Sequence, residues 1–274
     1  MAPLPRLFLR HVALTQEHGS WVFLLSPLII GIFAGGWQVA SGWLVLAALG
    51  AFLIKQPITI AVKVYSGRRS REELPAAAFW SALYGLMALA GLAGLWRAGF
   101  GQLGILAPPA LLVLGWHLWL VTQRAERHQI WMDVVASAAL ALACPAAYWV
   151  GRGSADAAGW WLWLLVWLQS AGSILYAALR LEQRRWTEQG TLRNRARAGL
   201  AALVWTGISL GVAAILPGAG VAAKGIWIAF SLQWAETLRG AWNPAVGARP
   251  AAIGLRQLGV SSLFTLVFIL IWGM

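Results

Sequence analysis

Nine apolar runs of fifteen to twenty-two residues follow one another along this chain, separated by short polar stretches in which arginine dominates. A helix needs roughly 20 apolar residues to cross the hydrocarbon core of a bilayer, because each residue adds about 1.5 Å along its axis. The pattern therefore predicts an all-α, polytopic membrane helix bundle with about nine transmembrane helices. They are expected over residues 20–37, 41–62, 76–96, 103–121, 131–150, 160–179, 198–216, 221–238 and 258–272. Connections this short leave no space for a soluble domain, so residues 1–274 read as a single integral membrane domain with a short surface segment, 1–19, at its amino end. That segment carries Arg6 and Arg10 but no apolar core followed by a small-residue cleavage site, and no removable signal peptide is expected. Pro27, Pro57 and Pro145 fall inside predicted helices, and Lys55-Gln56-Pro57 reads as an interruption of the second.

Composition agrees with lipid as the main solvent: 60% of residues are hydrophobic and the mean hydropathy is +0.69. A net charge of +12 would suggest nucleic acid in a soluble protein. Here 17 of the 21 Lys and Arg fall in the amino-terminal segment and the loops after the second, fourth, sixth and eighth helices, whereas Arg97, Arg152 and Lys224 lie on the other side and Lys55 within a helix. By the positive-inside rule the amino terminus is expected in the cytoplasm and the carboxyl terminus outside. The basic loops then meet lipid headgroups, and nucleic acid is not an expected partner. Cys144, the single cysteine, excludes an intramolecular disulfide and any multi-cysteine metal site. Tryptophans at predicted helix ends, such as Trp37, Trp96, Trp131 and Trp272, read as an interfacial belt, and the many Gly and Ala inside the helices predict close packing.

Candidate chemistry is sought among the polar residues that lipid should exclude. Glu17 and His18 open the first helix, with Thr15 as a candidate N-cap; they serve either as simple helix-start groups or as an acid and an imidazole able to move a proton or bind a metal. Lys55 is the sharper signal, since an ammonium inside a membrane costs roughly 2.5 to 3.5 kcal/mol on insertion scales unless a partner, water or snorkelling compensates it. Gln56 adds a second polar group, and Lys63, about two turns on, would stack roughly above Lys55. With Arg68, Arg69 and Arg180 arriving from neighbouring loops, and Arg124 from another, the set suits a polyanion. Gln169, Ser170 and Ser173 in the sixth helix and Gln233 with Glu236 in the eighth would line the interior if they face inward. Asp133 reads as a helix-start carboxylate, and His117 as a packed histidine.

The Glu17-His18-Gly19-Ser20-Trp21 entry to the first helix resembles the YwiC-like bacterial membrane proteins, as do the Phe52-Leu53-Ile54-Lys55-Gln56-Pro57 stretch of the second and the Ile253-Gly254-Leu255-Arg256-Gln257 approach to the last. The resemblance covers nearly the whole length and implies a multi-pass protein of the bacterial inner membrane; it brings no reaction with it. An acid is expected near Gln257 and is absent here, so no role is assigned to that position.

A more distant similarity is to the UbiA-type membrane prenyltransferases, which have nine helices and a cytoplasmic cavity. That family holds magnesium on Asp-rich motifs after the second and sixth helices. Residues 58–71 of this chain contain no Asp or Glu at all, and the second place offers only Glu182 and Glu188 among arginines. No magnesium-dependent prenyl transfer and no cofactor are therefore expected. The leading expectation is a cytoplasm-facing basic cavity for an amphipathic anion such as an isoprenoid phosphate or an anionic lipid. A small-solute permease and a structural membrane partner are the alternatives.

Overall fold

The computed structural model describes residues 7–15, 19–124 and 130–273, so Glu17 and His18 lie outside the described residues, as do Arg6, Arg127 and His128. All regular structure among the described residues is helical: α1 (Arg10–Ala13), α2 (Ser20–Gly35), α3 (Val39–Tyr65), α4 (Leu74–Arg97), α5 (Ala107–Thr122), α6 (Ile130–Ala141), α7 (Ala143–Arg152), α8 (Ala157–Gln183), α9 (Leu192–Ile215), α10 (Trp227–Trp242) and α11 (Pro250–Trp272). Counting α6 with α7 as one segment and adding flanking 3-10 turns, seven helical segments are long and apolar enough to cross a membrane. The predicted first and eighth helices appear as α2 and α10, each of 16 residues. At 1.5 Å per residue these measure about 24 Å, short of a hydrocarbon core of roughly 30 Å.

α8 is the centre of the bundle and packs on α6, α7, α9, α10 and α11. Two-thirds of its apolar window is buried (67%), against 17% for the segment that contains α5, whose Leu111 and Leu112 face outward. Lipid is as apolar as leucine, so burying hydrocarbon does not drive such helices together and small residues must let their backbones approach. α3 and α4 meet this way: a Cβ added at Gly50 would stand 2.6 Å from the Ala88 nitrogen, and one at Gly91 would stand 2.5 Å from that of Ala47. Gly31 and Gly35 of α2 lie against the Cys144 and Tyr148 carbonyls of α7 in the same manner.

The prolines behave differently from one another. α3 runs unbroken through Pro57, contrary to the interruption expected at Lys55-Gln56-Pro57. The predicted fifth helix does break, between α6 and α7, because Pro145 has no N–H for the Ala141 carbonyl. Leu142 N turns to the Ala139 carbonyl at 3.2 Å instead of Ala138, and the Trp163 indole donates to the Ala138 carbonyl at 2.9 Å. Trp167 and Trp205 likewise donate to Val134 (3.1 Å) and Leu168 (3.0 Å), tying α6, α8 and α9 together. Part of the tryptophan content is thus interhelical hydrogen bonding rather than an interfacial belt.

Candidate functional site

Three glutamines and two serines meet in the interior where α8, α10 and α11 converge. Gln169 and Ser173 stand four residues apart on α8, Gln257 and Ser261 four apart on α11, and Gln233 faces them from α10, so each helix presents its polar residues on one face. All five are buried, none more than 8% exposed. The strongest bonds come from Gln257, whose Nε2 donates to Ser173 Oγ at 2.7 Å and to Gln233 Oε1 at 3.0 Å. Gln233 Oε1 also accepts from Gln169 Nε2 and Ser173 Oγ, each at 3.3 Å, while Ser261 Oγ is 3.4 Å from Ser173. Deeper in α11, Thr265 bonds Ser26 of α2 at 2.5 Å and the Ser261 carbonyl at 2.9 Å.

One atom of this cluster is left over. Gln257 Oε1 is buried and has no hydrogen-bond partner among the described residues. An unsatisfied buried acceptor typically costs about 1–3 kcal/mol, so its retention calls for a partner.

One turn nearer the arginine-rich end, the same three helices supply a charged constellation. Tyr176, three residues beyond Ser173, donates its hydroxyl to Glu236 Oε1 at 2.5 Å. Arg256, next to Gln257, forks onto both Glu236 oxygens, with Nη2 to Oε2 at 2.7 Å and Nε to Oε1. Arg239 adds a looser contact at 3.7 Å. The Glu236 side chain is 10% exposed and that of Arg256 44%, so the carboxylate sits below a guanidinium lid. Arg180 lies over the Tyr176 ring, 5.9 Å from its centroid. Gly240 is glycine of necessity, since a Cβ there would stand 2.5 Å from Tyr176 Cε2.

The structure sorts the remaining predicted residues into separate neighbourhoods. Arg180 donates to the Gly240 and Asn243 carbonyls at 2.8 and 2.6 Å and to Gln183 Oε1 at 2.9 Å, securing the end of α10. Arg68 donates to the Val121 carbonyl at the end of α5 at 2.6 Å, and Arg69 to both Glu73 oxygens at 3.0 Å. Gln56 donates to the His11 carbonyl at 2.9 Å and, with Trp80 and Tyr84 on the Leu7 and Ala13 carbonyls, docks the α1 segment on α3 and α4. Arg124 closes α5 with a left-handed backbone (φ 58). Lys55 is partly exposed, one turn from Phe52, whose ring meets Trp21 at 5.0 Å. On an unbroken helix Lys55 and Lys63 lie about 12 Å apart along the axis and about 80° apart around it, so they do not stack. Two concavities stand out at the surface, one along α5 at Pro108, Leu111, Leu112, Gly115 and Trp116 and one between Ala157, Trp161, Val221 and Trp272; neither contains a predicted basic residue.

The family model for "YwiC-like protein" matches residues 14–148. Over these residues the chain is similar to the YwiC-like family. It is also 24% identical to "Uncharacterized protein YwiC" of Bacillus subtilis (strain 168) over 177 residues, which cover 62% of this chain and 67% of that protein. No solved structure matches. The matched residues hold α2 to α5, with Lys55 and Gln56, and most of the α6–α7 segment. The polar cluster lies beyond them, except for Ser26. Its α8 and α10 members are visible in the sequence as polar residues in apolar runs. Gln257, Arg256 and Tyr176 are the functional candidates that sequence reasoning misses, because the first two seem to precede the last helix and tyrosine raises no alarm in a membrane.

Proposed function

We propose that this protein binds a small polar solute inside its bundle and passes it across the membrane. The observation that carries the reading is the buried, uncharged Gln169–Ser173–Gln233–Gln257–Ser261 cluster with a spare acceptor, which adjoins the Glu236–Arg256 pair on its arginine-rich side. Polar side chains in a membrane interior are costly unless they serve packing or a pathway. Packing alone accounts poorly for this group, since interhelical hydrogen bonds contribute only about 0.6 kcal/mol each on average and four of its contacts measure 3.3 to 3.4 Å. The test is release of labelled glycerol, methylammonium or phosphate from vesicles containing the purified protein. At least one should leave faster than from protein-free vesicles, with Gln233→Leu returning the rate to background. Background rates for all three reject transport.

A second reading rests on Lys55, whose ammonium has no ion-pair or hydrogen-bond partner among the described residues although it lies within an apolar helix. Such a cation suits the headgroup of an anionic lipid or isoprenoid phosphate. Lys55→Met should keep or raise thermal stability, because it removes the insertion cost. Native mass spectrometry should show less bound anionic lipid; unchanged occupancy would remove Lys55 from any such site.

The same distribution of charge supports a cytoplasmic amino terminus, an external carboxyl terminus and placement in the bacterial inner membrane. A reporter active only in the cytoplasm, fused after Met274, is expected to stay silent. A bright fusion would invert the orientation or change the number of crossings by one.

A further inference from the structure

Resting on the transport reading, we infer that the solute is uncharged and donates hydrogen bonds, as a polyol or a small amide does. The first ground is the balance of donors and acceptors. The Nε2 groups of Gln257 and Gln169 each already face two partners, and Gln233 Oε1 receives from three donors, so the cluster has little left to offer an anion. What remains is an acceptor, Gln257 Oε1, in a side chain 8% exposed. It requires an N–H or O–H from whatever enters.

The second ground is the charge of the approach. Glu236 is the one carboxylate of the constellation; Arg256 and Arg239 pair with it and Arg180 lies over the adjoining Tyr176 ring, so a cation approaching from this end meets a net positive field. An anion passes that field but finds few donors beyond it, chiefly the second N–H of Gln233 Nε2, whose other bond goes to Thr237 Oγ1 at 3.4 Å; a cation would suit the Gln257 oxygen but is repelled on the way. A neutral donor satisfies both conditions. Glutamine amides also interrupt any relay of hydroxyl groups, because an amide does not readily take up and release a proton; this disfavours a proton path through the same cluster.

The experiment uses the full chain in vesicles. Glycerol and urea should be released faster than from protein-free vesicles, unlabelled urea should slow labelled glycerol by competing for one site, and methylammonium and phosphate should leave at the background rate. Gln257→Leu should reduce glycerol release by about tenfold, the effect of losing one buried hydrogen bond. If that variant does not fold, the competition in the wild-type protein carries the test alone. Faster release of methylammonium or phosphate in place of glycerol and urea overturns the neutral-solute assignment and leaves transport standing. Faster osmotic water flow with no solute release overturns it too, and assigns Gln257 Oε1 to water. Background rates throughout overturn both readings.

Discussion

Arg256→Leu is expected to destabilise the protein by about 2 kcal/mol, and to do so through the carboxylate it abandons. Glu236 is nearly buried, and removing one partner of a buried pair typically costs about 3–5 kcal/mol. That figure is discounted here, because the Arg256 side chain is 44% exposed and Tyr176 and Arg239 remain on Glu236. The identifying measurement is a double-mutant cycle in detergent. Glu236→Gln alone should cost less than Arg256→Leu, since the amide oxygen still accepts from Tyr176 and no charge is left buried. Combining the two should recover much of the stability lost in Arg256→Leu, a non-additivity expected only if the uncompensated charge is the cause. Simple addition of the two losses would mean that Arg256 acts through packing of its stem.

That constellation also shows where the sequence could and could not be read. A backbone in lipid has only the helix to satisfy its polar groups, so long apolar runs fix an all-helical architecture, and α3, α4, α8 and α9 lie where the runs place them. Gln169, Ser173 and Gln233 stand out because nothing polar surrounds them in the chain. Arg256 and Gln257 do not, because polar residues beside a basic loop read as more loop. In fact α11 begins at Pro250, which suits a first helical position, and carries both into the bundle. Their importance arises from α8 and α10, more than eighty and twenty residues away in Ser173 and Gln233, and no local pattern encodes that meeting.

Proline makes the same point from the backbone side. Pro57 and Pro145 carry the same local signal, a missing donor inside an apolar run. Only Pro145 interrupts its helix, where Trp163 from α8 is in place to take the displaced Ala138 carbonyl. At Pro57 the helix continues, and Thr59 donates to the Lys55 carbonyl one turn away at 2.7 Å. Whether a proline breaks a membrane helix is thus decided by what a neighbouring helix can offer the carbonyls it disturbs. The same holds for Arg68, Arg69 and Arg180, which share a charge pattern but are held by α5, by Glu73 and by α10 respectively.

Gly91→Leu should cost about 3 kcal/mol or more and deplete folded protein, because the new side chain has to begin inside the backbone of α3. Its Cβ would stand 2.5 Å from Ala47 N and 2.6 Å from the Trp43 carbonyl, atoms that cannot rotate away as a side-chain tip can. The two helices would have to separate, and α3 with α4 is the most extensive pairing in the bundle. Overpacking commonly costs about 1–3 kcal/mol even where side chains can adjust. Gly115→Leu on α5 is the matched control: nothing lies within 4 Å of its Cβ position, and α5 is largely exposed along its length. There the substitution replaces glycine by a good helix former, a gain of up to about 1 kcal/mol. Thermal unfolding of both variants in the same detergent should therefore move in opposite directions from the wild type. Equal losses would show that helix propensity and volume, rather than the close approach of α3 and α4, govern how this bundle tolerates leucine.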